Sequence, residues 1–145
     1  MEGMEIRPFE CGDEAAVIAL WRSCGLVVPH NNPAADIQRK LAVSPELFLV
    51  GTVDGKLVAT IMAGYEGHRG WINYLAVDPG LQRLGHGREI MEHAERLLRD
   101  LGCPKINLQI RGTNREVIEF YQRLGFKIDD VLSMGKRLVV DEAPS

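Results

Sequence analysis

Residues 71–99 constrain the fold more than any other stretch. An apolar run, Trp71-Ile72-Asn73-Tyr74-Leu75-Ala76-Val77, leads into the turn residues Asp78-Pro79-Gly80, the hexad Gln82-Arg83-Leu84-Gly85-His86-Gly87, and then a segment of helical periodicity. The order is strand, glycine-rich loop, helix. The first N–H groups of a helix lack intrahelical acceptors, and its dipole places partial positive charge there, so such a junction binds anions, phosphate above all. Gly85 and Gly87 have no side chains, which admits positive φ and lets a ligand lie against the backbone. Arg83 and Arg88 flank the loop with two cations in reach of a diphosphate. We read the junction as a pyrophosphate cradle. Spacing excludes two common phosphate patterns: no G-x-x-x-x-G-K-[ST] follows a strand, and Ile90 stands where G-x-G-x-x-G needs its third glycine.

The flanking sequence supplies a layered α/β frame. Glu5-Ile6-Arg7-Pro8-Phe9 alternates polar and apolar as a short edge strand. Asp13 is placed to cap a helix with Val17, Leu20, Trp21 and Cys24 on one face, closed by Gly25. Asn32 and Pro33 start a second helix through Ile37 and Leu41. His30, Asn31 and Asp36 read as solvated loop and helix residues, although polar groups at such loops are where acceptor recognition usually sits. Two β-rich runs, 47–53 and 56–65, are joined by Asp54-Gly55, the preferred type I′ hairpin pair. A polar turn, Glu66-Gly67-His68-Arg69-Gly70, leads to strand four.

The helix over 87–101 buries Ile90, Met91, Ala94, Leu97, Leu98 and Leu101. A right-handed crossover then places a fifth strand, 106–110, parallel to the fourth. Thr113-Asn114-Arg115-Glu116 matches the Ser/Thr-x-x-Glu capping box of a helix that turns Val117, Phe120, Tyr121 and Leu124 inward. Residues 126–128 and 132–140 read as two last strands. The expectation is one domain over residues 1–145, an α/β fold with a mixed, mostly antiparallel sheet of about seven strands and four helices.

Composition narrows the partners. An apolar fraction of 46% supplies a core, while a net charge of −3 and a pI near 5.8 provide no basic field, so nucleic acid is not an expected partner. Cys11, Cys24 and Cys103 are odd in number and lack metal-ligand spacing, which points to reduced thiols in a cytoplasm, no disulfide frame and no metal. No run approaches the length of a membrane span, and the acidic N-terminus has no secretory apolar core.

Two stretches resemble the GCN5-related N-acetyltransferases (GNAT), in particular small, poorly characterised bacterial members. Leu75-Ala76-Val77-Asp78-Pro79 and the hexad Gln82 to Gly87 are similar to that family's apolar-x-Val-x-Pro strand end and [Gln/Arg]-x-x-Gly-x-[Gly/Ala] loop. Residues 114–126 repeat its Asn-x-x-[apolar]-x-x-Phe-Tyr-x-x-x-Gly-Phe signature. The resemblance implies the GNAT fold, with strands four and five splayed apart, and acetyl-CoA as co-substrate. It places the pyrophosphate on backbone N–H groups from Arg83 to Arg88 and the pantetheine arm along Leu75, Ala76 and Val77. The Leu75 N–H would face the thioester oxygen, and Asn114 would contact the arm.

By the same resemblance Tyr121 is the general acid and part of the cofactor site, since a phenol of pKa ~10 stays protonated and can donate to a thiolate of pKa ~8.5. Catalysis would be direct attack by a primary amine, a peptide N-terminus, an amino-acid derivative or a small amine, with no covalent enzyme intermediate. Where many relatives carry a Glu in strand four or five, Trp71 and Gln109 stand here, leaving Glu66 and His68 as the nearest titratable candidates for a base acting through water. That departure also motivates an alternative, an acyl-CoA-binding sensor without turnover. The pattern carries no signal for oligomeric state, a homodimer included.

Overall fold

Asp54 and Gly55 adopt φ of 51° and 77°, the left-handed geometry their dipeptide favours, and so join Phe48–Val53 (β2) to Lys56–Tyr65 (β3) with Val53 opposite Lys56. The computed structural model describes residues 3–141. Around the hairpin, Glu5–Pro8 (β1) pairs with β2, and Gly70–Val77 (β4) pairs with β3, all antiparallel. Ile106–Asn107 (β5) pairs with β4 in parallel, giving a five-stranded sheet in the order β1-β2-β3-β4-β5.

Helices cover both faces, which is why β2 and β3 are apolar along their length rather than alternating. Glu14–Ser23 (α1) and Pro33–Ala42 (α2) pack Val17, Trp21 and Ile37 against Phe48, Val50, Met62 and Ala76. On the other face His86–Asp100 (α3) sets Ile90, Met91, Ala94 and Leu98 against Ala59, Ile61, Ala63 and Ile72, and Tyr121 from Arg115–Arg123 (α4) joins them. Ile90, Met91 and Leu98 are almost fully buried, each contributing about 1.5–3 kcal/mol of transfer free energy. The expected capping of α2 by Asn32 is present, its side chain accepting from the Ala35 N–H. No helix among the described residues is long and apolar enough to cross a membrane.

Three expectations are corrected. Asn114, not Thr113, caps α4, its Oδ1 accepting from the Val117 N–H at 3.3 Å. The fifth strand has two residues rather than five. The last two expected strands, over 126–128 and 132–140, do not form, and Leu132, Met134 and Leu138 are 87–94% exposed. A strand needs a neighbour to pair with, and β5 ends at Asn107, so β-forming residues further on have no ladder to join. The segment is held beside β5 by side chains instead, with Lys105 bonded to Asp129 at 2.9 Å and Gln109 bonded to Ser133.

Candidate active site

The parallel pair is joined at only two positions, Gly70 opposite Ile106 and Trp71 opposite Asn107. From Ile72 onward no strand among the described residues pairs with β4 on that side, which leaves backbone groups of its edge without a ladder partner. Buried polar groups of this kind cost about 1–3 kcal/mol each when left unpaired, and a ligand with its own amides can satisfy them.

A bulge shapes this edge. Between the pairs Thr60–Ala76 and Met62–Asn73, β3 advances two residues and β4 three. Tyr74 takes up the extra residue at φ 51°, a left-handed conformation that costs a non-glycine residue roughly 1–3 kcal/mol. The surroundings hold it there. The Tyr74 carbonyl accepts from Thr60 Oγ1 at 2.9 Å, Thr60 Oγ1 accepts from Trp21 Nε1 at 2.9 Å, and the Trp21 ring stacks on Tyr74 at 3.8 Å between centroids. Tyr74 thereby packs with the α1/α2 layer, while Leu75 and Val77 pack on the α3/α4 face and Ala76 returns to the first. No local pattern in the sequence distinguishes Tyr74 from an ordinary strand residue.

Beyond β4 the chain enters the loop. Asp78 caps the turn through the Gly80 N–H at 2.8 Å, and Gln82 Nε2 donates to the Val77 carbonyl at 3.3 Å. Arg83 and Gly85 have φ of 69° and 88°. The first bond of α3 runs from the Glu89 N–H to the Gly85 carbonyl at 3.0 Å, and the N–H groups of Gly85, His86, Gly87 and Arg88 have no acceptor among the described residues. His86 Nδ1 is also buried without a partner. Leu84 is half exposed beside them.

The two glycines serve different ends. Gly85 is needed for its left-handed backbone, with open space where a Cβ would be. A Cβ on Gly87 would stand 3.2 Å from Phe120 Cζ and 3.6 Å from Val77 Cγ2, so Gly87 permits close packing of α3 on α4. Arg88 is turned along α3, 3.3 Å from Glu92 and 3.3 Å from the Arg123 carbonyl.

Tyr121 is 7% exposed, edge-on to Phe120 and Phe126 at 5.2 and 5.3 Å. Its hydroxyl makes no hydrogen bond among the described residues, and burial pushes its pKa well above the ordinary phenol range. It borders a cavity of about 1110 Å³ shared with Trp71, Asn107, Gln109 and Phe126. That cavity lies beyond β5, and neither Leu75 nor the 82–88 loop lines it. Asn114 caps α4 with its Oδ1, and its amide N–H₂ makes no hydrogen bond among the described residues.

Glu66 and His68 fall at the opposite end of β4. Glu66 Oε1 accepts from the backbone N–H groups of His68 and Arg69, closing the β3–β4 turn, and both side chains are exposed. Four strand residues separate Gly70 from Leu75, five steps of about 3.3 Å or roughly 16 Å. The structure does not bring these two residues together with Leu75 and Tyr121. His68→Ala should therefore leave the pH profile of kcat/KM unchanged, and loss of an acidic limb in that variant would return His68 to the reacting centre.

Cys24 donates to the Val77 carbonyl at 3.3 Å, and burial raises its thiol pKa, which makes it a poor nucleophile. No group of three or more metal-ligating side chains occurs among the described residues.

A family model described as acetyltransferase (GNAT) matches residues 14–126. The chain belongs to the GNAT acetyltransferase family. An acetyltransferase of Yersinia enterocolitica is 44% identical over 96% of this chain and 99% of its own length. Among solved structures, Ard1 of Thermoplasma volcanium superposes with a TM-score of 0.72 at 28% identity, covering 87% of this chain and 84% of Ard1. The PaiA N-acetyltransferase of Thermoplasma acidophilum in complex with coenzyme A has a TM-score of 0.70 at 19% identity, over 89% and 92% of the two chains, and shows the shared fold. The GNAT assignment agrees with the mixed sheet, the parallel β4–β5 pair and the four helices seen here.

Proposed function

We propose that this GNAT protein moves the acetyl group of acetyl-CoA to a primary amine by direct attack. The observation that carries this reading is the continuity of two features: β4 from Ile72 to Val77, which no strand among the described residues pairs on the β5 side, and the α3 N-terminus that follows it, whose first N–H groups have no acceptor among the described residues. The N–H groups of Gly85 to Arg88, with Arg83 beside them, suit a pyrophosphate. The edge at Leu75, Ala76 and Val77 suits the amides of a pantetheine arm, and Asn114 has an amide N–H₂ to offer it. The Leu75 N–H stabilises negative charge as it develops on the thioester oxygen. Tyr121 donates a hydrogen bond to the departing sulfur, which leaves as a thiolate, and the amine nitrogen releases its proton to solvent.

Trp71 and Gln109 border the cavity beside Tyr121 and can take no proton from the ammonium; its carboxylates are Glu95 on α3 and Asp129, the latter paired with Lys105 at 2.9 Å. At pH 7 an α-amino group of pKa near 8 is about a tenth neutral, whereas a lysine amine of pKa near 10.4 is neutral to about 4 parts in 10⁴. The acceptor is accordingly an amine of lowered pKa rather than an exposed lysine. With the best acceptor from an amine and peptide screen, kcat/KM should climb with pH until the acceptor's own pKa, and a plateau well below it would reveal a base.

Trp71 and Gln109 in place of a strand Glu support a second reading, an acyl-CoA-binding module without turnover. Calorimetry with acetyl-CoA tests binding under both readings. Thiol release on adding an amine mixture separates them, because the module binds and releases nothing.

A further inference from the structure

Thr60 is fully buried in the middle of β3, in a run from Val58 to Ala63 that is otherwise apolar. A hydroxyl in such surroundings lowers stability unless it is bonded, and Thr60 Oγ1 is used twice. It accepts from Trp21 Nε1 at 2.9 Å and donates to the Tyr74 carbonyl at 2.9 Å. Trp21 is fully buried as well. Two buried polar side chains in series therefore end on one backbone oxygen of β4.

That oxygen belongs to the peptide joining Tyr74 to Leu75, the two residues of the bulge that have no partner in the β3–β4 register. A trans peptide is planar, and its C=O and N–H point in opposite directions. Thr60 lies on β3 and turns its hydroxyl toward Trp21 in the α1/α2 layer. Drawing the Tyr74 carbonyl to that hydroxyl sends the Leu75 N–H the other way, away from β3 and toward the side on which β5 pairs. Leu75 itself packs on the α3/α4 face, where the donor's cradle lies. The side chain of Tyr74 is fixed too. Its ring stacks on Trp21, and its Oη accepts from Asn31 Nδ2 at 2.8 Å and donates to Asp36 Oδ2 at 2.6 Å. A residue strained at φ 51° is thus clamped at both ring and carbonyl, and the peptide that follows has little freedom to turn.

We propose that Thr60, with Trp21 behind it, is a positioning residue for the reaction, its hydroxyl aiming the Leu75 N–H at the thioester oxygen. This rests on the acetyl-transfer reading above. As the amine nitrogen bonds to the carbonyl carbon, negative charge gathers on that oxygen, and it leaves again when the C–S bond breaks and the thiolate departs. A donor aimed in advance stabilises the charge without reorganising at the moment of reaction. The bond from Thr60 also polarises the shared peptide, which makes its N–H a stronger donor. A bulge without the hydroxyl would present the same N–H over a spread of directions.

The test binds acetyl-CoA, labelled with ¹³C at the thioester carbonyl, to the full chain and follows that carbonyl by difference infrared spectroscopy. Thr60→Val keeps the shape of the side chain and removes the hydroxyl, and Thr60→Ser restores it. In Thr60→Val the bound carbonyl band should move to higher wavenumber than in the unaltered protein. There kcat with the best amine should fall at least about tenfold, short of the about 10²–10³-fold that loss of a whole oxyanion donor costs. Affinity for CoA, which carries no thioester, should stay unchanged in calorimetry. Thr60→Ser should return band and kcat most of the way, an outcome that packing alone does not predict, because serine leaves the space of the methyl empty. Should Thr60→Val not fold, Trp21→Phe decides: the stack on Tyr74 stays, the N–H that orients the hydroxyl is gone, and band and kcat should shift in the same direction by less. An unmoved band in the variant that folds, or a kcat that Thr60→Ser fails to restore, overturns the proposal and leaves acetyl transfer standing. Failure to bind acetyl-CoA or to release thiol with any amine removes the acetyl-transfer reading and this proposal with it.

Discussion

Tyr121→Phe should lower kcat by about 10²-fold, the low end for a lost general acid, with little effect on acetyl-CoA affinity. The size follows from the environment of the hydroxyl. Burial holds the phenol above its ordinary range, so full proton transfer to a thiolate of pKa ~8.5 is uphill. Its contribution is then a hydrogen bond that strengthens as charge gathers on sulfur. The sign of the pH effect follows as well. A raised folded-state pKa keeps the neutral form favoured, so any stability it contributes is present below about pH 10 and lost as pH rises further. No alkaline limb from Tyr121 should therefore appear in the rate below that pH. Phe retains the edge-on contacts with Phe120 and Phe126, and the lost hydroxyl had no internal partner, so the melting temperature should not fall. Unchanged turnover would leave Tyr121 a packing residue only.

The second large effect is expected at Gly85. Valine there would have to hold φ near 88°, a conformation that β-branched residues scarcely adopt, yet its Cβ would meet no atom within 4 Å. The loop must relax away from the left-handed geometry, re-aiming the N–H groups of Gly85 to Arg88. Each charge-assisted bond to a phosphate is worth about 1.5–3 kcal/mol, so loss of even two weakens acetyl-CoA binding by at least about 10²-fold in calorimetry. Circular dichroism should show an intact fold. Gly87→Val is a less clean variant, because it presses on Phe120 and through it on Tyr121. Unaltered affinity in Gly85→Val would sink the cradle.

What the chain declares on its own are features decided by near neighbours. The Asp54-Gly55 turn, the Asn32 cap, the apolar face of α3 and the strand-loop-helix order around residues 82–88 depend on a handful of adjacent residues, and each took the expected form save for Leu101, which caps the end of α3 and is 54% exposed rather than buried. The match of residues 114–126 to the GNAT signature is likewise a statement about one helix and its ends. Even within such segments, fine choices went astray where two adjacent residues compete, as with Thr113 and Asn114 at the α4 cap.

The rest was settled by residues far apart in the chain. Tyr74 leaves the strand pattern because Trp21, Thr60 and Asp36, arriving from α1, β3 and α2, stack on it and bond to it. Gly87 is small because Phe120 of α4 packs against it, a reason invisible in the hexad. Residues 126–140 have strand-forming composition but no ladder, since β5 stops at Asn107. Local propensity and motif spacing determined the glycine-rich loop at 82–88 and the order of elements. Only the packing of α1 and α2 on the bulge of β4 decided where Tyr74 stands, because hydrogen bonds and ring contacts across 38 to 53 residues leave no mark in any local window.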